Sequence, residues 1–147
     1  MRRMRINTAR GGFTLIEMLV VLAILVVLMG MVGPRILGTQ KKADIKTTKT
    51  QIGMLKASLE RYALSMKDFP TTEQGLKAML EKPEGAKNAD KWDGPFLNAS
   101  QIPKDAWGND YQYAYPPERG KGDTPDIWSL GPDGEDNTED DVTSWVK

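Results

Sequence analysis

From Phe13 to Gly33 nearly every position is apolar, whereas from Ile45 onward apolar residues recur on one side only. The first stretch, FTLIEMLVVLAILVVLMGMVG, has no polar face. It predicts a helix in wholly apolar surroundings, since about 20 residues rising ~1.5 Å each span a hydrocarbon core of ~30 Å. In the second stretch Ile45, Ile52, Leu55, Leu59, Tyr62 and Met66 follow at intervals of seven, three, four, three and four. That spacing puts them on one helical face, the face expected to carry the core. Lys41, Lys42, Lys46, Thr47, Lys49 and Thr50 populate the other side, expected to meet solvent or other subunits. Between the two stretches Gly30, Gly33, Pro34 and Gly38 lower helical propensity. Pro34 lacks an N–H and its ring opposes the carbonyl of Gly30, so a kink or local unwinding is expected there. The pattern predicts one helix of roughly fifty residues, membrane-spanning over 13–33 and amphipathic over 34–66.

The remainder, 67–147, reads as a small globular domain. In DFPTTEQGLKAML a turn precedes a short helix, with Thr72 as N-cap and Leu76, Met79 and Leu80 facing inward. Residues 81–101 are punctuated by Pro83, Gly85, Gly94 and Pro95 and predict loop. YQYAY (111–115), DIWSL (126–130) and VTSWV (142–146) have strand composition. The fold class is therefore α+β: a long N-terminal helix packed on a small antiparallel β-sheet.

Charge changes this picture at both ends. The chain of 147 residues holds 20 basic and 20 acidic residues, but Arg2, Arg3, Arg5 and Arg10 crowd the start. Asp133, Glu135, Asp136, Glu139, Asp140 and Asp141 crowd the finish. A product beginning at Phe13 keeps 16 basic against 20 acidic residues, a balance with no general attraction to nucleic acid. There is no cysteine and no histidine, which removes thiolate and imidazole chemistry, disulfides and zinc sites of the usual kind. Paired carboxylates such as Asp140 and Asp141 could do acid–base work in a tethered, calcium-dependent hydrolase. However, no nucleophile–base pair is visible, and Trp92, Trp107, Trp128 and Trp145 look like core. The chain is not expected to be an enzyme.

The N-terminus admits three readings. A cleaved secretory signal would have an apolar region of about 7–15 residues and an A-x-A-like site; this one is longer and lacks the site. A plain anchor suits the length, and the leading arginines place the N-terminus in the cytoplasm and the domain outside. Neither reading accounts for Glu17, whose charge costs up to ~2.5–3.5 kcal/mol at a bilayer centre and less near its surface. The run itself offers it no obvious partner. The third reading supplies one: cleavage between Gly12 and Phe13 creates an α-amino group one helical turn from Glu17. Paired within a chain or between packed neighbours, that amine and carboxylate would reward assembly in one register.

Arg-Gly-Gly followed by Phe13-Thr14-Leu15-Ile16-Glu17-Met18 resembles the class III leader of type IV pilins and type II secretion pseudopilins. The resemblance implies that a prepilin peptidase removes residues 1–12 and methylates Phe13. It further implies that Glu17 acts in assembly, and that Pro34 lies within one long helix whose nearby backbone can melt on packing. PTTEQGLKAML, DAWGNDYQY, DIWSLGPDG and DDVTSW are similar, in that order, to the major pseudopilins of type II secretion, over nearly the whole chain. Type IVa pilins usually close a C-terminal loop with cysteines, which are missing here. Two departures stand out: Ala106 and Asp110 replace prolines common in the family, and GEDNTEDD is more acidic and poorer in glycine than usual.

The stretch LGPDGEDNTEDDVTS offers the hard oxygen donors that Ca²⁺ prefers, without EF-hand spacing. Alone it reads equally as a solvated acidic loop. The family resemblance implies a Ca²⁺ site built from the side chains of Asp133 and Asp140, the carbonyls of Leu130 and Val142 and the hydroxyl of Ser144. Asp141 would ligate or stand behind them, and Glu135, Asp136 and Glu139 are expected to be solvated. The implied function is the major subunit of a secretion pseudopilus, a homo-oligomeric helical filament whose growth exports folded proteins across the outer membrane. Its implied partners are minor pseudopilins, an inner-membrane assembly platform and the prepilin peptidase. The implied location is the inner membrane, with the domain in the periplasm. A pilin of another system, for adhesion, motility or DNA uptake, would share the leader.

Overall fold

A computed structural model describes residues 12–146, with residues 32–37 described as backbone only. Residues 1–11 of the expected leader 1–12, the end of the expected membrane segment and the Pro34 side chain lie outside the described side chains. The chain divides into two compact units, Met1–Gln40 and Lys41–Lys147. Helix α1, Leu15–Met66, contributes to both, and its helical backbone is uninterrupted at Pro34. The local unwinding expected from sequence is thus absent from the backbone there.

In the first unit the α1 side chains from Leu15 to Met31 are exposed on every side, Phe13 and Leu15 more than four-fifths so. Among the described residues no helix is long and apolar enough to cross a membrane.

In the second unit the α1 stripe is the heart of the core. Leu55 and Leu59 are fully buried, and Ile52, Tyr62 and Met66 nearly so, with Ile45 half-buried at the margin. Lysines 41, 42, 46 and 49 are exposed as the pattern predicts, but Thr48 among them is completely buried. The helix stops because Lys67 turns into the left-handed region (φ 64°) and its N–H returns to the Ala63 carbonyl at 2.8 Å. That is a helix-ending turn usually given to glycine. The Asn88 amide donates to the Met66 carbonyl at 2.8 Å, satisfying one of the orphaned acceptors.

Leu76–Met79 form a short 3-10 turn. Thr72 does not cap it, contrary to expectation. The Thr72 hydroxyl accepts the Tyr115 N–H at 2.9 Å and donates to the Tyr115 carbonyl at 3.1 Å, fastening this segment to the sheet. Thr71 takes the local role, accepting the Gln74 N–H at 3.3 Å. Because three residues per turn superimpose positions 76 and 79, Leu76 and Met79 face inward together. Ala78 joins them and Leu80 is only half-buried.

The 81–101 segment is loop apart from one turn at Ala89–Lys91. It is held by Phe96, whose N–H donates to the Met79 carbonyl at 2.7 Å and whose carbonyl receives Arg61. The Phe96 ring meets Tyr62 and Trp92 edge-on at 5.3 and 5.9 Å. Strands β1 (Gln112–Ala114), β2 (Asp126–Ser129) and β3 (Val142–Thr143) form an antiparallel sheet in that order. Every β2 residue is buried. One face gives Ile127 to the helix core, while the chain on either side of β2 covers the other.

Candidate functional site

At the start of α1 the sequence Thr14-x-x-Glu17 folds as a reciprocal cap. The Glu17 Oε2 accepts the Thr14 N–H at 2.8 Å and the Thr14 hydroxyl at 2.9 Å, and the Glu17 N–H points at that hydroxyl at 3.3 Å. Two donors and the positive end of the helix dipole thus serve the carboxylate from within its own chain. This corrects the view that the apolar run offers Glu17 no partner. The threonine–glutamate spacing is itself a recognisable capping signal, and sequence reasoning passed over it. Gly12 and Phe13 lie just outside the helix, and among the described residues a Cβ added at Gly12 would meet nothing within 4 Å. A carboxylate has about four acceptor positions, so two bonds leave room for a further donor.

The acidic loop follows β2. Asp133 accepts the Glu135 N–H at 3.0 Å, tightening the Pro132–Gly134 turn. The loop returns so that Asp140 sits against Gly131, which adopts φ +67°. A Cβ at Gly131 would fall 2.6 Å from the Asp140 carbonyl oxygen and 3.2 Å from its Oδ2, so only glycine allows this closure. The Thr138 hydroxyl does most to hold the Asp140 carboxyl below the usual carboxylate range. It donates at 2.6 Å, and the backbone N–H groups of Asp140 itself and of Asp133 add to the effect. Asp140 is thereby brought back beside the Gly131–Gly134 turn that carries Asp133.

Asp141 is held elsewhere. It accepts the Asn137 N–H at 3.0 Å, while the Thr138 hydroxyl, 3.3 Å away, gives its one proton to Asp140, and it lines an open cleft of about 630 Å³ with Arg119, Glu139 and Trp145. The Ser144 hydroxyl accepts the Ile127 N–H at 3.0 Å, which commits one lone pair to the sheet, and Val142 begins β3. Among the described residues no group of three or more acidic side chains is placed to hold a metal. A cation held here would draw on Asp133, Asp140 and the close approach that Gly131 allows, with carbonyl oxygens left to complete any coordination.

Asp136 is exposed, as the sequence leads one to expect, yet it is a well-engaged acid of the loop. It forms a two-pronged pair with Arg119 at 2.7 and 2.6 Å and accepts the Trp128 indole N–H at 2.9 Å. The guanidinium lies 4.4 Å over the Trp128 ring, and Trp145 meets that ring edge-on at 6.0 Å. Arg119, then Trp128, holds the Asp136 carboxyl down to about 2. Asp126 aims Arg119 from the β2 side by accepting the N–H groups of Glu118, Arg119 and Gly120 at 2.9, 2.7 and 3.0 Å. The pair is partly exposed, so its net worth is at most about 1 kcal/mol.

A buried polar cluster lies beside the loop. Asp105, Ser129 and Thr48 are each at least nine-tenths buried and mutually connected through hydrogen bonds of the 105–109 turn. None of the three was singled out by the sequence.

Comparison with known proteins bears on the whole chain. Residues 35–145 match the family model described as "Type II secretion system (T2SS), protein G", and residues 7–33 match the prokaryotic N-terminal methylation motif. The type II secretion system core protein G of Vibrio cholerae serotype O1 is 39% identical, over 99% of this chain and 96% of its own length. That of Pectobacterium carotovorum subsp. carotovorum is 42% identical, over 91% of this chain and 83% of its own. The crystal structure of the major pseudopilin of enterohaemorrhagic Escherichia coli superposes with a TM-score of 0.63 at 37% identity. It covers 74% of this chain and 92% of that one.

Proposed function

Because this chain belongs to the type II secretion system protein G family, we propose that it is the major structural subunit of a secretion pseudopilus. One observation carries the reading: a methylation motif over residues 7–33 abuts a protein G domain over residues 35–145 in a single chain. A pilin for adhesion, motility or DNA uptake would share only the first of these. The chain acts through assembly rather than catalysis, as a substrate of a prepilin peptidase and a partner of minor pseudopilins and an inner-membrane platform.

In this reading the basic leader 1–12 stays in the cytoplasm and cleavage after Gly12 frees the Phe13 amine. The apolar face up to Gly33 anchors the subunit until it is lifted into the filament, with Pro34 marking the end of that anchor and the domain lying in the periplasm. Cleavage leaves the Phe13–Thr14 peptide bond intact, so the Thr14 cap on Glu17 survives maturation. The cap steadies the carboxylate in the stored subunit, and the remaining acceptor positions receive the methylated amine of a neighbour. Sideways packing of apolar helices has little directional preference, and this polar contact supplies one register.

The acidic loop takes Ca²⁺ between Asp133 and Asp140, with the Leu130 and Val142 carbonyls, the Ser144 hydroxyl and water as further oxygen donors and Asp141 behind them. Bound there, the ion supplies the positive charge that two adjacent carboxylates need, and its binding energy adds to that of folding. Arg119 performs the same neutralisation for Asp136 without an ion.

The test is a strain lacking this gene. Export of its secreted proteins is expected to stop, leaving them in the periplasm, and to return with the wild-type gene. Normal export together with lost twitching or transformation would move the protein to another pilus system.

A further inference from the structure

Asp105 is an acid buried to 6% exposure, and the ion pairs recorded among the described residues, Lys104–Asp110 and Arg119–Asp136, do not include it. A buried carboxylate is costly unless fully hydrogen-bonded. Its Oδ1 accepts the N–H groups of Trp107 and Asn109 at 3.0 and 2.8 Å, which is what building the local turn requires. Its Oδ2 goes further and accepts the Ser129 hydroxyl at 2.5 Å.

That second contact fixes a direction. The Ser129 oxygen accepts the Gly131 N–H at 3.1 Å, so its single proton is given to Asp105. Asn109, held by the same carboxylate, donates its side-chain amide to the Gly131 carbonyl at 3.0 Å. Both polar backbone groups of Gly131 are therefore set from Asp105, one through Ser129 and one through Asn109. Gly131 is the residue on which Asp140 closes. The turn is anchored in its own right, because the Ala106 N–H donates to the buried Thr48 hydroxyl of α1 at 3.3 Å.

We propose that Asp105 is a positioning residue for the cation site: acting through Ser129 and Asn109 it seats Gly131, and thereby sets the Asp140 carboxylate opposite Asp133 for a divalent cation. The proposal rests on the reading of the acidic loop as a Ca²⁺ site. It touches no ligand itself, and it ties the geometry of the loop to Thr48 on α1.

Partners standing directly behind metal ligands typically alter affinity by about 10–100-fold when removed. The experiment uses the full chain in detergent micelles, with Ca²⁺ titrated calorimetrically into Asp105→Asn and Ser129→Ala. Both are expected to weaken Ca²⁺ binding by at least about tenfold. Leu59→Ala, which loosens the core without touching the relay, should melt earlier in chelator yet bind Ca²⁺ as wild type does below its transition. Asp110→Asn, an exposed acid of the same turn, should also leave affinity unchanged and so exclude a general charge effect. Should Asp105→Asn fail to fold, Ser129→Ala decides, since it keeps both turn amides on Asp105. Wild-type affinity in Ser129→Ala would overturn the relay while leaving the metal reading intact. Absence of Ca²⁺ binding in the wild type would overturn both.

Discussion

Replacing Glu17 with alanine is expected to abolish filament formation while leaving the Lys41–Lys147 unit folded. Glu17 lies in the first turn of α1, in the Met1–Gln40 unit, and is not a member of the core cluster. In the proposed filament its removal would leave the methylated Phe13 amine of each neighbour charged and unpaired in an apolar seam. Breaking one side of such a pair costs about 3–5 kcal/mol when the contact is fully buried. Since 1.4 kcal/mol is a factor of ten, even ~3 kcal/mol lowers each association step more than a hundredfold. The penalty recurs at every subunit, so the filament yield should fall below detection in a shearing and sedimentation assay. Thr14→Val removes only the hydroxyl of the cap, worth about 1 kcal/mol, and should reduce assembly without eliminating it. Filaments at wild-type yield in Glu17→Ala would contradict the role given to the carboxylate.

The second large effect concerns the domain itself. Leu59→Ala is expected to destabilise it by about 3–5 kcal/mol, the range for emptying a fully buried leucine site. Domains of ordinary stability have only about 5–15 kcal/mol in total, so a thermal melt in chelator should show a transition lower by at least about 10 °C. Leu64 lies five residues further along the same helix but is 73% exposed. Leu64→Ala should therefore stay within about 0.5 kcal/mol of wild type. Equal losses at the two positions would mean that the helix face has been assigned wrongly.

The helix stripe was legible because burial on one face leaves a 3.6-residue period in the sequence, and Leu55, Leu59 and Tyr62 obey it. The strands were legible from their β-branched and aromatic residues, although β2 shows no alternation because both its faces are covered. What sequence could not reach were contacts that depend on chain return. Arg119 and Asp136 stand 17 residues apart across a strand, so nothing local links them. Asp105 meets Ser129 over 24 residues and was hidden in a motif valued for its family likeness. Local sequence points to Thr72 as a cap because that is the commonest local use of threonine, whereas its partner, Tyr115, is 43 residues away. In the acidic loop the return of Asp140 to the Gly131–Gly134 turn followed from turn chemistry. The turning aside of Asp141 did not, since a threonine two or three residues away chooses between neighbouring carboxylates by geometry alone.

The state of the N-terminus in the living cell is the most direct test of assembly through Glu17. The intact mass of protein extracted from the membranes of its host is predicted to lack residues 1–12 and to carry one methyl group on Phe13. A mass corresponding to a chain that still begins at Met1 would contradict it, because Glu17 would then have no amine to meet.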